Sequence, residues 1–316
     1  MPSNHPVLAV EIGGTKLQAC VAESSGEILR SVRGDVDVAA GVPGILAWVQ
    51  SACNELLSQC AERPEAVGVG FGGPIDTATG EVLVSHQISG WQGVRLREWF
   101  EQALKLPAVV ANDANAAGWA EFCLGAGKGL HTFCYCNIGS GIGGALVVDG
   151  RLLDGQGRGA AEIGHTQVPD WRGAPGASAR LEDLCSGWSL EKRVRCEAPM
   201  APKSPLFRLC DGNRQRITAR VLAEAARAGD GYAQEEIARV GRTVGLALAN
   251  VVTLVHPQVI AMGGGVSLMG DLLLDPLRKS VHEHAFGVFR ESVAIVPCAL
   301  GEDVVLHGAA LLAAAI

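Results

Sequence analysis

Positive charge is in short supply along this chain of 316 residues: 26 Lys and Arg stand against 33 Asp and Glu, a formal net charge of −7. A broad positive field, which carries non-specific attachment to nucleic acid or to acidic membranes, is therefore missing. Unbroken apolar runs are missing as well. The late stretch 243–270 contains no Asp, Glu, Lys or Arg and has the length of a bilayer span, but His256, Pro257 and Gly263-Gly264-Gly265 interrupt it, so no membrane crossing is expected. The opening MPSNHPVLAVEIGGTK lacks a basic start, a long apolar stretch and a cleavage site, which makes the cytoplasm the expected location. The ten cysteines lack framework spacing, so reduced and mostly buried thiols are expected rather than disulfides. Cys134 and Cys136 lie two apart in an apolar run, hence on one strand face, with no second pair at ligand spacing; packing is favoured there over metal binding.

What is present is apolar and rich in glycine. Apolar residues make up 48% of the chain, charged residues 19%, and 41 positions are Gly, a composition of a folded chain. At roughly 100 to 200 residues per domain, the length favours two domains. Residues 7–11 form a short apolar run ending at Gly13-Gly14, and residues 16–22 resume it before Ser24-Ser25-Gly26, the pattern of a hairpin. Ile45, Val49, Cys53, Leu56 and Cys60 mark one helix face, followed by a buried-strand run at 66–71 and the breaker Gly72-Gly73-Pro74. Strand 109–111 then leads into a helix over 114–124 that starts at Asn112-Asp113. Strand 133–138, the turn Gly139-Ser140-Gly141-Ile142-Gly143-Gly144, strand 145–148 and a turn at Asp149-Gly150 repeat the opening hairpin, which suggests internal duplication. Helices are expected over 217–228, 233–254 and 306–316, and a strand over 259–262.

The turn at 139–144 matches G-x-G-x-x-G, and Glu162 lies about twenty residues on, so a dinucleotide-binding reading must be weighed. That fingerprint requires a helix after the glycines, whereas residues 145–150 read as strand and turn. A Walker loop also fails, because Gly13-Gly14-Thr15-Lys16 has no upstream glycine at the needed spacing. A single glycine hairpin is usually only a turn. A pair of them can offer backbone N–H groups to a polyphosphate, where side chains would keep the oxygens away. Gly263-Gly264-Gly265, after a strand, is a third candidate, for the nucleoside end.

Taken in order, Val10-Glu11-Ile12-Gly13-Gly14-Thr15-Lys16, residues 70–76 (GFGGPID), residues 112–117 (NDANAA), residues 139–144 (GSGIGG), Glu162-Ile163-Gly164-His165 and residues 262–267 (MGGGVS) resemble the motif set of the ROK family of sugar kinases and regulators over nearly the whole chain. The resemblance implies the actin-like ATPase (ribonuclease H-like) α/β fold, with two α/β domains flanking an active-site cleft. The smaller, residues 1–120, would be completed by a last helix at about 305–316; the larger would cover 121–304. It also implies phosphoryl transfer from ATP with Mg²⁺ to a hexose hydroxyl, most readily glucose, in a homodimer that binds neither nucleic acid nor membrane. Kinases for fructose, mannose or an N-acetylated hexosamine, and a catalytically silent sugar-binding regulator, are the alternatives. Asp113 matches the family's base, a role suited to a carboxylate at a helix start. Asn112, Glu162, His165 and Glu182 match the sugar-contacting residues, and Gln87 stands where the family usually has Asn. Gly13, Gly14, Thr15, Lys16, Gly139, Ser140 and Gly141 are the implied phosphate contacts, with Gly263, Gly264 and Gly265 at the nucleoside. Glu11 replaces the usual Asp and can still reach Mg²⁺, directly or through water.

One segment departs from the family. Most ROK kinases carry a zinc loop C-x-C-G-x-x-G-C-x-E after the histidine, and its register falls on residues 173–182, where Gly173, Pro175 and Arg180 replace the three cysteines. No zinc is expected, and the loop must be held otherwise, by packing of Trp171 and Leu181 or by an Arg180 contact.

Overall fold

The computed structural model describes residues 5–85 and 88–316. The chain begins with the antiparallel strands β1 (Pro6–Ile12), β2 (Lys16–Glu23) and β3 (Ile28–Asp35), then helix α1 (Gly41–Ser58) and strand β4 (Val67–Phe71). A small ribbon of β5 (Ile75–Asp76) and β6 (Glu81–Val82) precedes α2 (Leu96–Leu104), β7 (Ala108–Asn112) and α3 (Asp113–Cys123). A second series follows: β8 (Phe133–Ile138), β9 (Ile142–Val148) and β10 (Arg151–Leu152), the two-stranded hairpin of β11 (Gln167–Pro169) and β12 (Ser178–Arg180), and helices α4 (Leu181–Cys185), α5 (Gly187–Glu197), α6 (Pro205–Leu209), α7 (Ala219–Arg227) and α8 (Gly231–Val255). The chain ends with β13 (Val259–Gly263), α9 (Asp271–His284), β14 (Ala294–Pro297) and α10 (Val304–Ala313).

The two five-stranded sheets share one plan. The first has the order β3-β2-β1-β4-β7 and the second β10-β9-β8-β13-β14, each a meander of three strands extended by two parallel ones. Strand β1 is buried along its whole length, as expected for a strand covered on both faces. At the β9–β10 turn Asp149 and Gly150 both take positive φ, 50° and 73°, the conformation that Asp-Gly favours in tight hairpins.

The chain divides into two compact units, Met1–Gly129 with Ala145–Ala160 and Ala299–Ile316, and Leu130–Gly144 with Ala161–Cys298. In the first, α10 returns to pack on α3 and β4 through small residues: a Cβ added to Gly308 would lie 1.9 Å from the Ala116 carbonyl oxygen. In the second, α8 packs on α9. Helix α8 has the length and apolarity to cross a bilayer, but more than half of its apolar window is buried within the protein. It stops at His256, which takes a left-handed φ of 51° just before Pro257, so the apolar stretch from Thr243 onward is a helix end, a loop and a strand. All ten cysteines are free thiols, and Cys134 and Cys136 are both fully buried on β8 beside β13.

Candidate active site

The parallel strands β1, β4 and β7 run in register, with Ile12 level with Phe71 and Phe71 level with Asn112. The residues that follow, Gly13, Gly72 and Asp113, therefore emerge together at the carboxyl ends of three adjacent strands, the usual place for ligands in α/β sheets. The Gly72 N–H donates to the Ile12 carbonyl at 2.9 Å. A Cβ on Gly72 would lie 3.5 Å from Asp113 Oδ2 and 3.6 Å from the Gly13 Cα, so the three are in close approach. Trp91, almost wholly buried, packs edge-on against Phe71, and with Ser85 and Ile88 it lines a small pocket beside Gly13, Gly14 and Gly72. Gln87, expected in the sugar pocket, lies outside the described residues.

Asp113 is the first residue of α3 and Asn112 its cap. The Asn112 side-chain oxygen accepts from the backbone N–H of Ala114 at 2.9 Å and of Asn115 at 3.2 Å, and its amide donates to the Gly73 carbonyl at 3.1 Å. Asp113 Oδ1 accepts from the Ala114 N–H at 2.7 Å. The helix dipole favours a carboxylate at this end by about 0.3–1 kcal/mol. Glu11, nearly buried on β1, accepts from Gln18 Nε2 at 2.7 Å and pairs with Lys16 Nζ at 3.2 Å through the same oxygen, Oε2. Lys16 also donates to the Glu302 carbonyl at 3.3 Å. The first glycine turn is closed by the Gly13 N–H, which donates to the Lys16 carbonyl at 3.0 Å, so this amide serves the hairpin and the ones beyond it form the bend.

In the second unit the glycine turn between β8 and β9 is held from three sides. The Gly139 N–H donates to the Gly141 carbonyl and the Gly187 N–H to the Gly139 carbonyl, both at 2.8 Å. Gly143 N–H donates to Asn137 Oδ1 at 3.1 Å, and Ile142 N–H donates to Glu182 Oε2 at 2.7 Å. Gly263 is level with Asn137 across β13 and β8. Next to it, Gly264 has φ +81°, and a Cβ there would stand 2.5 Å from the Ile138 carbonyl oxygen, so only glycine can bring this loop against the end of β8.

Glu162 and His165 are brought together locally. They bracket a single 3₁₀ turn, Ile163–His165, in which positions three apart eclipse, and both side chains are exposed. Glu182 arrives from downstream. In the β11–β12 hairpin Gln167 faces Arg180, and the Leu181 N–H donates to the Thr166 carbonyl at 2.9 Å, so the base of the hairpin packs the start of α4, with Glu182, against the 3₁₀ turn that ends at His165. The turn of this hairpin, the segment without cysteines, is tied by backbone bonds from Asp170 to Ala177 and from Ala177 to Ala174, both at 2.9 Å. Asp170 accepts from the Arg172 N–H and guanidinium, which pulls its carboxyl below the usual carboxylate range. Arg180 makes a two-bond fork to Asp183, at 2.9 and 2.8 Å, and Leu181 is fully buried. Among the described residues no group of three or more His, Cys, Asp or Glu side chains is placed to share a metal ion.

Two contributors went unassigned in the sequence. Asn137 is a strand residue whose side chain accepts from Gly143, six residues on, and Gly187 opens α5 and donates to the Gly139 carbonyl. Gly72 belongs to the motif at residues 70–76, but its approach to Gly13 and Asp113 appears only when β1, β4 and β7 lie side by side.

The ROK family model matches residues 7–316, and the chain belongs to the ROK family. It is similar to the glucokinase of Streptomyces coelicolor, 34% identical over 313 residues that cover 97% of this chain and 96% of that one. The glucokinase of Halalkalibacterium halodurans is 30% identical over 95% of this chain and 92% of its own length. Among solved structures, a ROK family glucokinase from Streptomyces griseus in complex with glucose and AMPPNP superposes with a TM-score of 0.84 at 33% identity, covering 98% of this chain and 99% of that one.

Proposed function

We propose that this chain is an ATP-dependent sugar kinase that transfers the γ-phosphoryl group of ATP to glucose, giving glucose 6-phosphate. The glucokinases to which it is similar over almost their full lengths support the reaction class and the sugar. The observation that carries the reading is the placing of Asp113, a carboxylate at the first position of α3 and in close approach to the glycines that end β1 and β4. The repeated five-stranded plan supports assigning the fold to the actin-like ATPase, ribonuclease H-like, class.

In this reading the Asp113 carboxylate accepts the proton of the sugar's 6-hydroxyl, the freed oxygen bonds to the γ-phosphorus, and the bond from that phosphorus to ADP breaks. Base assistance of this kind is worth about 10²–10⁴ in rate. Glu162, His165 and Glu182 hold the ring hydroxyls, Glu182 through Oε1 because its other oxygen accepts from Ile142. Asn112 keeps one amide N–H beyond the one it gives Gly73, enough for one hydroxyl, and Gln87 is assigned to the sugar by resemblance alone. Gly13, Gly14, Thr15 and Lys16, with Gly139, Ser140 and Gly141, receive the phosphates, and Gly263, Gly264 and Gly265 the nucleoside. Glu11 fits Mg²⁺ as a hard oxygen donor. Its Oε2 is committed to Gln18 and Lys16, which favours contact through water. When bound, Mg²⁺ neutralises phosphate charge.

A coupled ADP-release assay over glucose, fructose, mannose and N-acetylated hexosamines tests the reading. Glucose is expected to turn over fastest. Asp113→Asn should lower kcat by about 10²–10⁴ while calorimetry still detects glucose binding. The reading fails if no sugar turns over, or if Asp113→Asn keeps the parent kcat.

A further inference from the structure

We propose that Trp171, held by Arg193 and Arg239, is the positioning residue that fixes His165 and Glu182 relative to one another. The proposal rests on the sugar-kinase reading for its consequence and on the geometry of a single unit for its substance.

Trp171 sits in the turn of the β11–β12 hairpin, whose base is closed by the bond between Leu181, just after β12, and Thr166, just before β11. Two short strands joined by a turn of small residues do not hold a register by themselves. The turn here has an anchor. The guanidinium carbons of Arg193 on α5 and Arg239 on α8 lie over the Trp171 ring, 4.8 and 4.9 Å from its centre. One carboxylate fixes both: Glu236 accepts from Arg193 Nε at 2.9 Å through Oε2 and from Arg239 Nη1 at 2.8 Å through Oε1. Arg193 and Glu236 are buried, so this pair is screened little by water. Arg193 also donates through Nη1 to the Leu184 carbonyl at 2.8 Å, on the helix that carries Glu182.

Arg193 thus grips the hairpin through Trp171 and the end of α4 through Leu184. His165 precedes one strand of the hairpin and Glu182 follows the other, so both ends of the sugar-binding pair are referred to one buried guanidinium. Without the ring, the turn would be left with its Asp170 and Arg172 contacts, which are local or exposed, and the hairpin that joins His165 to Glu182 through the Leu181–Thr166 bond would loosen. The indole is suited to the task because its π face attracts a guanidinium.

The test compares Trp171→Ala, Trp171→Phe and Arg239→Gln in the full chain. Two readouts are taken: KM for glucose against KM for ATP, and hydrogen exchange of residues 166–182. Trp171→Ala is expected to raise the glucose KM by about tenfold or more and leave the ATP KM within about twofold. Exchange in 166–182 should speed up by about tenfold. Trp171→Phe, which keeps an aromatic face, should stay within about threefold of the parent in each. Arg239→Gln, at a side chain one-third exposed, should move both readouts in the same direction, and it answers the question even if Trp171→Ala does not fold. Unchanged hairpin exchange in Trp171→Ala, or glucose and ATP KM values that rise together, overturns the proposal. Should the parent turn over no sugar, the kinase reading falls by itself, and exchange in the alanine and phenylalanine variants still decides whether Trp171 holds the hairpin.

Discussion

Asn112 and Asp113 divide two tasks between adjacent side chains: one caps α3, the other presents a carboxylate at its start. Glu182 combines two tasks in one side chain, since the oxygen that accepts from Ile142 also fixes where its partner oxygen points. A Cβ on Gly141 would lie 2.5 Å from Glu182 Oε2, and Gly141 does not have positive φ. Gly141→Ala should therefore displace the carboxylate rather than the backbone. We expect kcat/KM for sugar to fall by about tenfold or more, and stability to fall by about 1–3 kcal/mol as the Ile142 N–H loses its acceptor, read by paired kinetics and urea denaturation. The buried thiols offer a second prediction. Burial pushes Cys20, Cys53, Cys136 and Cys185 up to about 12 from an ordinary 9.0. Above pH 9 the unfolded chain releases these protons and the folded chain does not, so their contribution to stability is complete below pH 9 and declines as pH rises towards 12. The urea midpoint should fall over that range, and Cys53→Ala should make the fall shallower. A slope unchanged by that substitution would contradict the assignment.

Among the elements, α10 shows why the chain ends in alanines and glycine. It lies so near β4 and α3 that Gly68 could not carry a Cβ within 1.9 Å of the Ala309 carbonyl, nor Gly308 one at the same distance from Ala116. The obstructing atoms are backbone and cannot rotate away. Gly308→Val should cost about 3 kcal/mol or more in urea denaturation, whereas Gly287→Ala, at an exposed glycine with nothing within 4 Å, should stay within about 0.5 kcal/mol. Elements with strong local signals were legible in the sequence: β8 has the span its apolar run indicates, and α8 and α10 fall within two or three residues of theirs. Others were not. Strand β3 has mostly exposed side chains and no apolar run to mark it, and α9 carries Pro276 inside it and many charges outside it. Both exist because a neighbour, β2 or α8, offers them a surface.

For the molecule as a whole, the duplicated hairpin seen in the sequence became a duplicated sheet, because each three-strand meander needs two parallel strands beside it to bury its inner strand. The segment at 167–182, where the family register carries the zinc loop, is tied here by a hairpin, an Arg180 fork and the stacking of arginines on Trp171. Metal analysis of the purified protein should accordingly find zinc well below one per chain, and one stoichiometric zinc would refute it.

Glycine placement, apolar patterning and the Asn-Asp pair before α3 were sufficient, by themselves, to mark the strands β1, β2, β4, β7, β8, β9 and β13 and the two glycine turns, because these signals act within a few residues along the chain. Only the folded arrangement decided that Gly72 stands against Asp113, that Glu182 braces Ile142, and that Arg193 and Arg239, both paired with Glu236, converge on Trp171. Those contacts join positions far apart in the chain, and close packing, which no local pattern encodes, selects them.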